Sequence, residues 1–197
     1  MIDLTGAILV GQGNERSCFV HPYDSCLVIK VPRQAQRSRQ QNRIDLFYLD
    51  GLVRRGVPFN HIPRLHGMVV TSLGEGLVCE RIAEPDGSNS PPLALAVRRG
   101  LLTRERADGL LDELLVELLR YWVVIVDVAG NHVLFQQLAN GHRRLVIIDG
   151  LGARWLGWRL WIQSKIPSMA RRKLRKQWPK LLFNIWSGPD SLREGET

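Results

Sequence analysis

An α+β fold in two unequal lobes is what this 197-residue sequence predicts, on three observations. Residues 1–82 read as short β-type runs separated by glycine turns, with one helical stretch inserted. Residues 83–92, AEPDGSNSPP, form a turn-rich linker. Beyond it a long helical stripe precedes a hairpin and then a basic, tryptophan-rich stretch. The expected division is a β-rich lobe over 1–82, a linker over 83–92, a reduced helical lobe over 93–152 and a helical tail over 153–197.

The first two strands are expected at Gly6–Val10 and Ser17–His21, on either side of the turn GQGNER. CLVIKV, Cys26–Val31, is a β-branched strand closed by Pro32. Gln34–Val53 follows as a helix, because Ile44, Phe47, Tyr48 and Leu52 fall on one face. GMVVTSLGEGLVCERI then supplies two strands around a turn at Gly74–Gly76. After the linker, Thr103 is placed to cap a helix with Glu105 and Asp108 in its first turns. Its apolar face runs through Leu110, Leu111, Leu114, Leu115, Leu118, Leu119 and Trp122. HVLFQQL and RLVIID form a hairpin around Asn140-Gly141.

A hydrophobic content of 45% and a charged content of 23% are those of a globular protein with a sizeable core. No run approaches the ~18 apolar residues of a membrane span. The opening MIDLTGAILVGQG has no basic segment and carries Asp3, unlike a secretory signal. The expected location is therefore the cytoplasm, with the inner membrane face as a surface for peripheral attachment. Cys18, Cys26 and Cys79 are odd in number and lack metal-binding spacing, so neither a disulfide framework nor a zinc site is expected. Burial in strands is the reading for all three. The net charge of +8 is uneven: residues 151–197 hold 10 Lys/Arg against 3 Asp/Glu, leaving 17 against 16 for the rest.

Several residues carry the pattern of a phosphate-binding site. Gly11 and Gly13 sit in a turn where backbone N–H groups can approach phosphate closely. Lys30 lies inside an apolar strand one short strand later, either snorkelling from a sheet edge or aimed at nucleotide phosphates. In the second case the following helix offers Asp45 as its partner, one methylene shorter than the glutamate of a kinase-type pair. Glu80, at the end of the last strand before the linker, is grouped with the nucleotide-binding residues. Asn131 and Asp149 are the expected Mg²⁺ ligands on a protein-kinase plan. Asp127 stands where the catalytic base would be, but it precedes Asn131 by four positions rather than five, and no His-Arg pair precedes it. Either the loop has lost one residue and Asp127 has slid into place, or Asp127 is a bystander. Only 48 residues follow Asp149, too few for a full peptide-binding platform, so a protein substrate is the least expected phosphoryl acceptor.

GQGNERSCFVHP contains Gly11, Gly13, Arg16, Cys18, Phe19, His21 and Pro22, and IPRLHG contains Ile62, Pro63, Arg64, His66 and Gly67. In these stretches, in CLVIKV and in DGSNS, the sequence resembles the YrbL family of PhoP regulatory network proteins, over roughly residues 8–152. The resemblance implies a small protein-kinase-like bilobal fold, a glycine-loop site for ATP and Mg²⁺, Lys30 as the strand-three lysine, and a regulatory role in envelope or magnesium stress. Arg16 occupies the third-glycine position of ordinary kinase loops, where it either contacts phosphate or blocks its approach. An active phosphotransferase acting on a small or envelope-related molecule and an inactive, nucleotide-responsive pseudokinase both fit this set.

Trp155, Trp158 and Trp161 lie three residues apart, and Arg171–Lys176 holds five cations interrupted by Leu174. Residues 155–186 read as an interfacial element for an anionic membrane surface, as a nucleic-acid contact (the less expected partner), or as helices packed on the body with their cations solvated.

Overall fold

The computed structural model describes residues 1–33, 38–126, 128–152 and 166–187. Five strands build an antiparallel sheet in the order β1-β2-β3-β5-β4. They are β1 (Leu9–Gln12), β2 (Arg16–His21), β3 (Asp24–Pro32), β4 (Leu65–Thr71) and β5 (Gly74–Glu80). The first strand begins later than Gly6–Val10 because Gly6 adopts φ +77°, ending the preceding turn there. Gly11 and Gln12 therefore belong to the ladder, and the turn proper spans residues 13–15, closed by the Gly13 amide donating to the Arg16 carbonyl at 2.9 Å. Helix α1 (Ser38–Arg54) is inserted between β3 and β4, and it buries Ile44, Tyr48, Leu49 and Leu52 at one helical spacing. Phe47, assigned to that face from sequence, is instead 48% exposed.

The segment 81–92 folds back on itself through an Ala83–Asn89 bridge. A short helix, α2 (Leu93–Arg98), follows it; Pro92 precedes it with no side-chain cap, which left no sequence signal. Helix α3 (Arg104–Arg120) starts on Thr103, whose hydroxyl accepts from the Arg106 amide at 3.3 Å. A 3₁₀ turn (Gly130–His132) leads into the hairpin of β6 (Val133–Gln137) and β7 (Arg143–Ile147), where Gly141 takes φ +79°.

Helix α4 (Pro167–Ser187) closes the chain's described part and buries Ala170, Leu174, Trp178, Leu181 and Ile185. That stripe joins one continuous core with α1, α2, α3 and both hairpin strands. Arg104 lies 3.7 Å over the Trp186 ring, tying the start of α3 to the end of α4. Arg172, Arg175, Lys176 and Lys180 are exposed, Arg171 donates from Nε to the Leu119 carbonyl at 3.1 Å, and Trp155, Trp158 and Trp161 lie outside the described residues. Among the described residues no helix is long and apolar enough to cross a membrane. Of the cysteines only Cys79 is buried; Cys18 is half-buried, and Cys26 is exposed with the first residues of β3.

Candidate functional site

Strand β3 is third of the five, so Lys30 is not an edge residue whose ammonium escapes sideways to water. Its Nζ donates to the Ile148 carbonyl at 2.7 Å, across the cleft between the sheet and the hairpin. The expected Lys30–Asp45 pair does not form. Asp45 Oδ2 instead accepts from Arg16 Nη1 at 2.6 Å, and Asp45 Oδ1 from Gln41 Nε2 at 2.8 Å. The guanidinium is a longer, five-donor fork, and it reaches a carboxylate that is one methylene too short for the lysine.

Arg16 does more than hold α1. Its Nη1 also donates to Asn42 Oδ1 at 3.2 Å, and its Nη2 pairs with Asp149 Oδ2 at 2.8 Å. Only 8% of the residue is exposed. One side chain thus joins β2, α1 and the second residue after β7. Asn42 completes the knot by donating to the Lys30 carbonyl at 3.0 Å. Gln41, Asn42 and the Ile148 carbonyl were missed by sequence reasoning. The signal for the first two was a polar pair one turn from Asp45 on an otherwise apolar helix face.

Asp149 is 32% exposed by side chain and has its second oxygen engaged by the Gly150 amide at 2.7 Å. Gly150 takes φ +79°, which a side chain rarely adopts. Burial alone would raise the Asp149 pKa, but Arg16, Lys30 and His132 outweigh it and hold the carboxyl well below the usual carboxylate range. For Arg16, burial disfavours the charge, yet Asp149 and Asp45 together push its pKa further up. Two basic and two acidic side chains are therefore gathered at one cleft, with formal charges that cancel. Lys30, Asp45, Tyr48, Cys79 and Asp149 line a cavity of about 20 Å³ behind it, room for about one water. Burial pushes the neighbouring Cys18 thiol up to about 11, with Lys30 acting in the opposite direction.

The remaining sequence-predicted residues lie as follows. Gly11 is in the β1 ladder, and Gly13 is in the exposed turn preceding Arg16. Glu80 accepts from Arg144 Nη2 at 3.1 Å and from the Arg64 amide at 3.0 Å, so it clasps β5 to β7 and the approach to β4 rather than joining the Arg16 set. Asn131 sits in the 3₁₀ turn with its Oδ1 buried and without a hydrogen-bond partner among the described residues. Asp127 lies outside the described residues. On either side of it, the Val126 amide donates to the Gly150 carbonyl at 2.7 Å and the Val128 carbonyl accepts from Asn184 at 2.9 Å.

Gly130 holds the Asn131 turn against α4. A Cβ there would meet the Asn184 carbonyl oxygen and stand 2.7 Å from its carbon and 3.0 Å from Ile185 Cα, all of them backbone atoms. The turn approaches the tail helix too closely for any side chain.

Comparison with known proteins agrees with this architecture. A crystal structure of the PF14_0431 kinase domain superposes with a TM-score of 0.53 at 14% identity, over 72% of this chain and 48% of that one. Rad53 1–466 in complex with AMP-PNP gives a TM-score of 0.46 at 15% identity, over 73% of this chain and 37% of that one. The chain thus spans less than half of either solved chain, and the first of the two shows that it has the protein-kinase-like fold. Proteins called "Uncharacterized protein YrbL" from Escherichia coli (strain K12) and Shigella flexneri are each 29% identical over 170 residues, covering 80% of both chains. Residues 2–185 match the family described as PhoP regulatory network protein YrbL, and the chain belongs to that family.

Proposed function

We propose that the protein binds ATP with Mg²⁺ in the cleft between its sheet and its hairpin, and acts as a kinase-like, nucleotide-responsive member of the regulatory network its family is named for. The observation that carries this reading is the convergence of Arg16, Lys30, Asp45 and Asp149 from four separate elements on one cleft. Paired charges at such cost in desolvation are characteristic of functional sites.

Asn131 Oδ1 and the Asp149 carboxylate are the oxygen donors that would hold Mg²⁺. They fit a hard cation, since Asn131 Oδ1 is a buried acceptor with no partner among the described residues. When bound, the ion bridges phosphate oxygens and neutralises the charge on them. Lys30 would turn from the Ile148 carbonyl to a phosphate, and the backbone amides of Asn14 and Glu15, next to the Gly13 amide that the Arg16 carbonyl holds, would approach the same group. Phosphoryl transfer to a small acceptor adds one requirement, a base at Asp127 to take the hydroxyl proton. Without that base the same site is a pseudokinase that senses nucleotide.

Calorimetric titration of ATP, with and without Mg²⁺, into the parent and Lys30→Ala tests the binding. Loss of one charge-assisted contact should weaken affinity by about 10- to 100-fold. Equal binding by both proteins would remove Lys30 from the site. ATP turnover lost in Asp127→Asn would identify a phosphotransferase; binding with no turnover in the parent would identify a sensor.

A further inference from the structure

We propose that Arg16 makes this site selective for a metal–polyphosphate complex over either of its parts, by exchanging one ion pair for another. The inference rests on the nucleotide-site reading above and concerns how that site chooses its ligand.

Arg16 stands three positions after Gly13, at the turn a phosphate must reach, and its guanidinium divides between two tasks. Nη1 is committed to α1 through Asp45 and Asn42, at 2.6 and 3.2 Å. Nη2 is committed to Asp149 Oδ2 at 2.8 Å. Asp149 has its other oxygen on the Gly150 amide, so a cation reaching this carboxylate displaces Nη2 or shares an oxygen with Nη2 or with that amide.

A free divalent cation arriving at Asp149 strips Arg16 of half its pairing and sets a second positive charge beside a guanidinium that is 8% exposed. A free polyphosphate arriving at Arg16 leaves Asp149 unpaired and facing phosphate oxygens. Separating such a pair, its arginine buried and its carboxylate half-buried, without replacing the lost partner is destabilising. A metal–polyphosphate complex carries both signs at once. Its cation replaces Arg16 on Asp149, its phosphate replaces Asp149 on Arg16, and neither charge goes unmatched. Because Nη1 stays on Asp45 and Asn42, the guanidinium can pivot from carboxylate to phosphate without leaving α1. Glycine at this position, as in ordinary kinase loops, would supply no such coupling.

The test is calorimetric titration of Mg²⁺ alone, ATP in chelator, and both together, into the parent and Arg16→Gln, with circular dichroism confirming folding. In the parent, Mg²⁺ alone should give no saturable binding, and Mg²⁺ should strengthen ATP binding by about tenfold or more. In Arg16→Gln, Mg²⁺ alone should bind, because Asp45 and Asp149 have lost their shared cation, and the enhancement of ATP binding should largely disappear. If Arg16→Gln does not fold, Arg16→Lys replaces it, since lysine keeps the charge but not the fork that serves both carboxylates. Mg²⁺ enhancement as large in the variant as in the parent overturns the exchange. So does parent ATP affinity indifferent to Mg²⁺; if that affinity is still lost in Lys30→Ala, the nucleotide site stands and only the exchange fails. A parent that binds no ATP under any condition removes the nucleotide reading and the exchange with it.

Discussion

Gly130→Ala is the substitution whose cost the structure sets most tightly. The new methyl would stand 2.7 Å from the Asn184 carbonyl carbon and 3.0 Å from Ile185 Cα. Carbon pairs settle at about 3.5–4.0 Å, so either the 3₁₀ turn or α4 must retreat by roughly 1 Å. Helix α4 cannot retreat freely, because Leu174, Trp178, Leu181 and Ile185 are interlocked with the core. Overpacking of this kind costs about 1–3 kcal/mol. The Asn184 to Val128 hydrogen bond at 2.9 Å spans the same contact, and its loss adds about 1 kcal/mol. A total of about 2–4 kcal/mol lowers Tm by roughly 4–16 °C in a protein of this size. Gly109→Ala is the matched control. Gly109 lies on the exposed side of α3 with nothing within 4 Å of its would-be Cβ. The same methyl there should stabilise by about 0.5–1 kcal/mol. Calorimetric or circular-dichroism melts of the two variants should therefore move in opposite directions. A Gly130→Ala protein melting within about 1 °C of the parent would refute the close approach of the turn to α4.

Acid should reveal the Arg16–Asp149 pair. Asp149 is held below its unfolded value of about 3.9, so its stabilisation is complete above that pH and is lost as pH falls through the lower, folded value. Urea midpoints measured from pH 6 down to pH 2 should fall more steeply for the parent than for Asp149→Asn; parallel profiles would contradict the pairing. The cysteines should differ sharply in reactivity. At pH 7.5 a thiol reagent should modify Cys26 well before Cys18, since Cys26 is exposed while Cys18 is half-buried and its pKa is raised by burial to about 11. Mass mapping that finds Cys18 labelled first would be the contrary result.

The order of strands and helices was legible because each signal was local. Pro32 ends β3, Thr103 caps α3 and Asn140-Gly141 turns the hairpin, and each acts within a few residues of itself. What escaped was set by distant partners. Arg16 meets Asp45 from 29 positions away and Asp149 from 133, and nothing in GQGNERS says which carboxylates the arginine will find. The reading of Asp45 as the lysine's partner followed a plan in which glutamate fills that place; with the shorter acid, the guanidinium takes the bond. Gly130 looks like any loop glycine until α4 arrives against it, 54 positions later. The end of α3 misled for a related reason: Trp122, assigned to the apolar stripe, adopts φ +55° and turns the chain where a glycine is usual, with Arg55 over its ring at 5.6 Å.

The anchoring of α1 bears on how the cleft opens. Tyr48 is 2% exposed, its hydroxyl oxygen accepts from the Val124 amide at 2.7 Å, and its ring covers Gly152 so closely that a Cβ there would stand 2.7 Å from the ring. The helix is therefore a strut pinned at its middle to the lower body, while Asn42, six residues up, holds the sheet. Six residues are about 9 Å of helix, so a tilt of the sheet by about 10° about this fulcrum shifts the upper end by roughly 1.5 Å. A shift of that size is enough to part Arg16 from Asp149. The ion pair thus spans the joint between the two halves of the molecule, so its presence reports the angle between them, and a tilt of that size would break it.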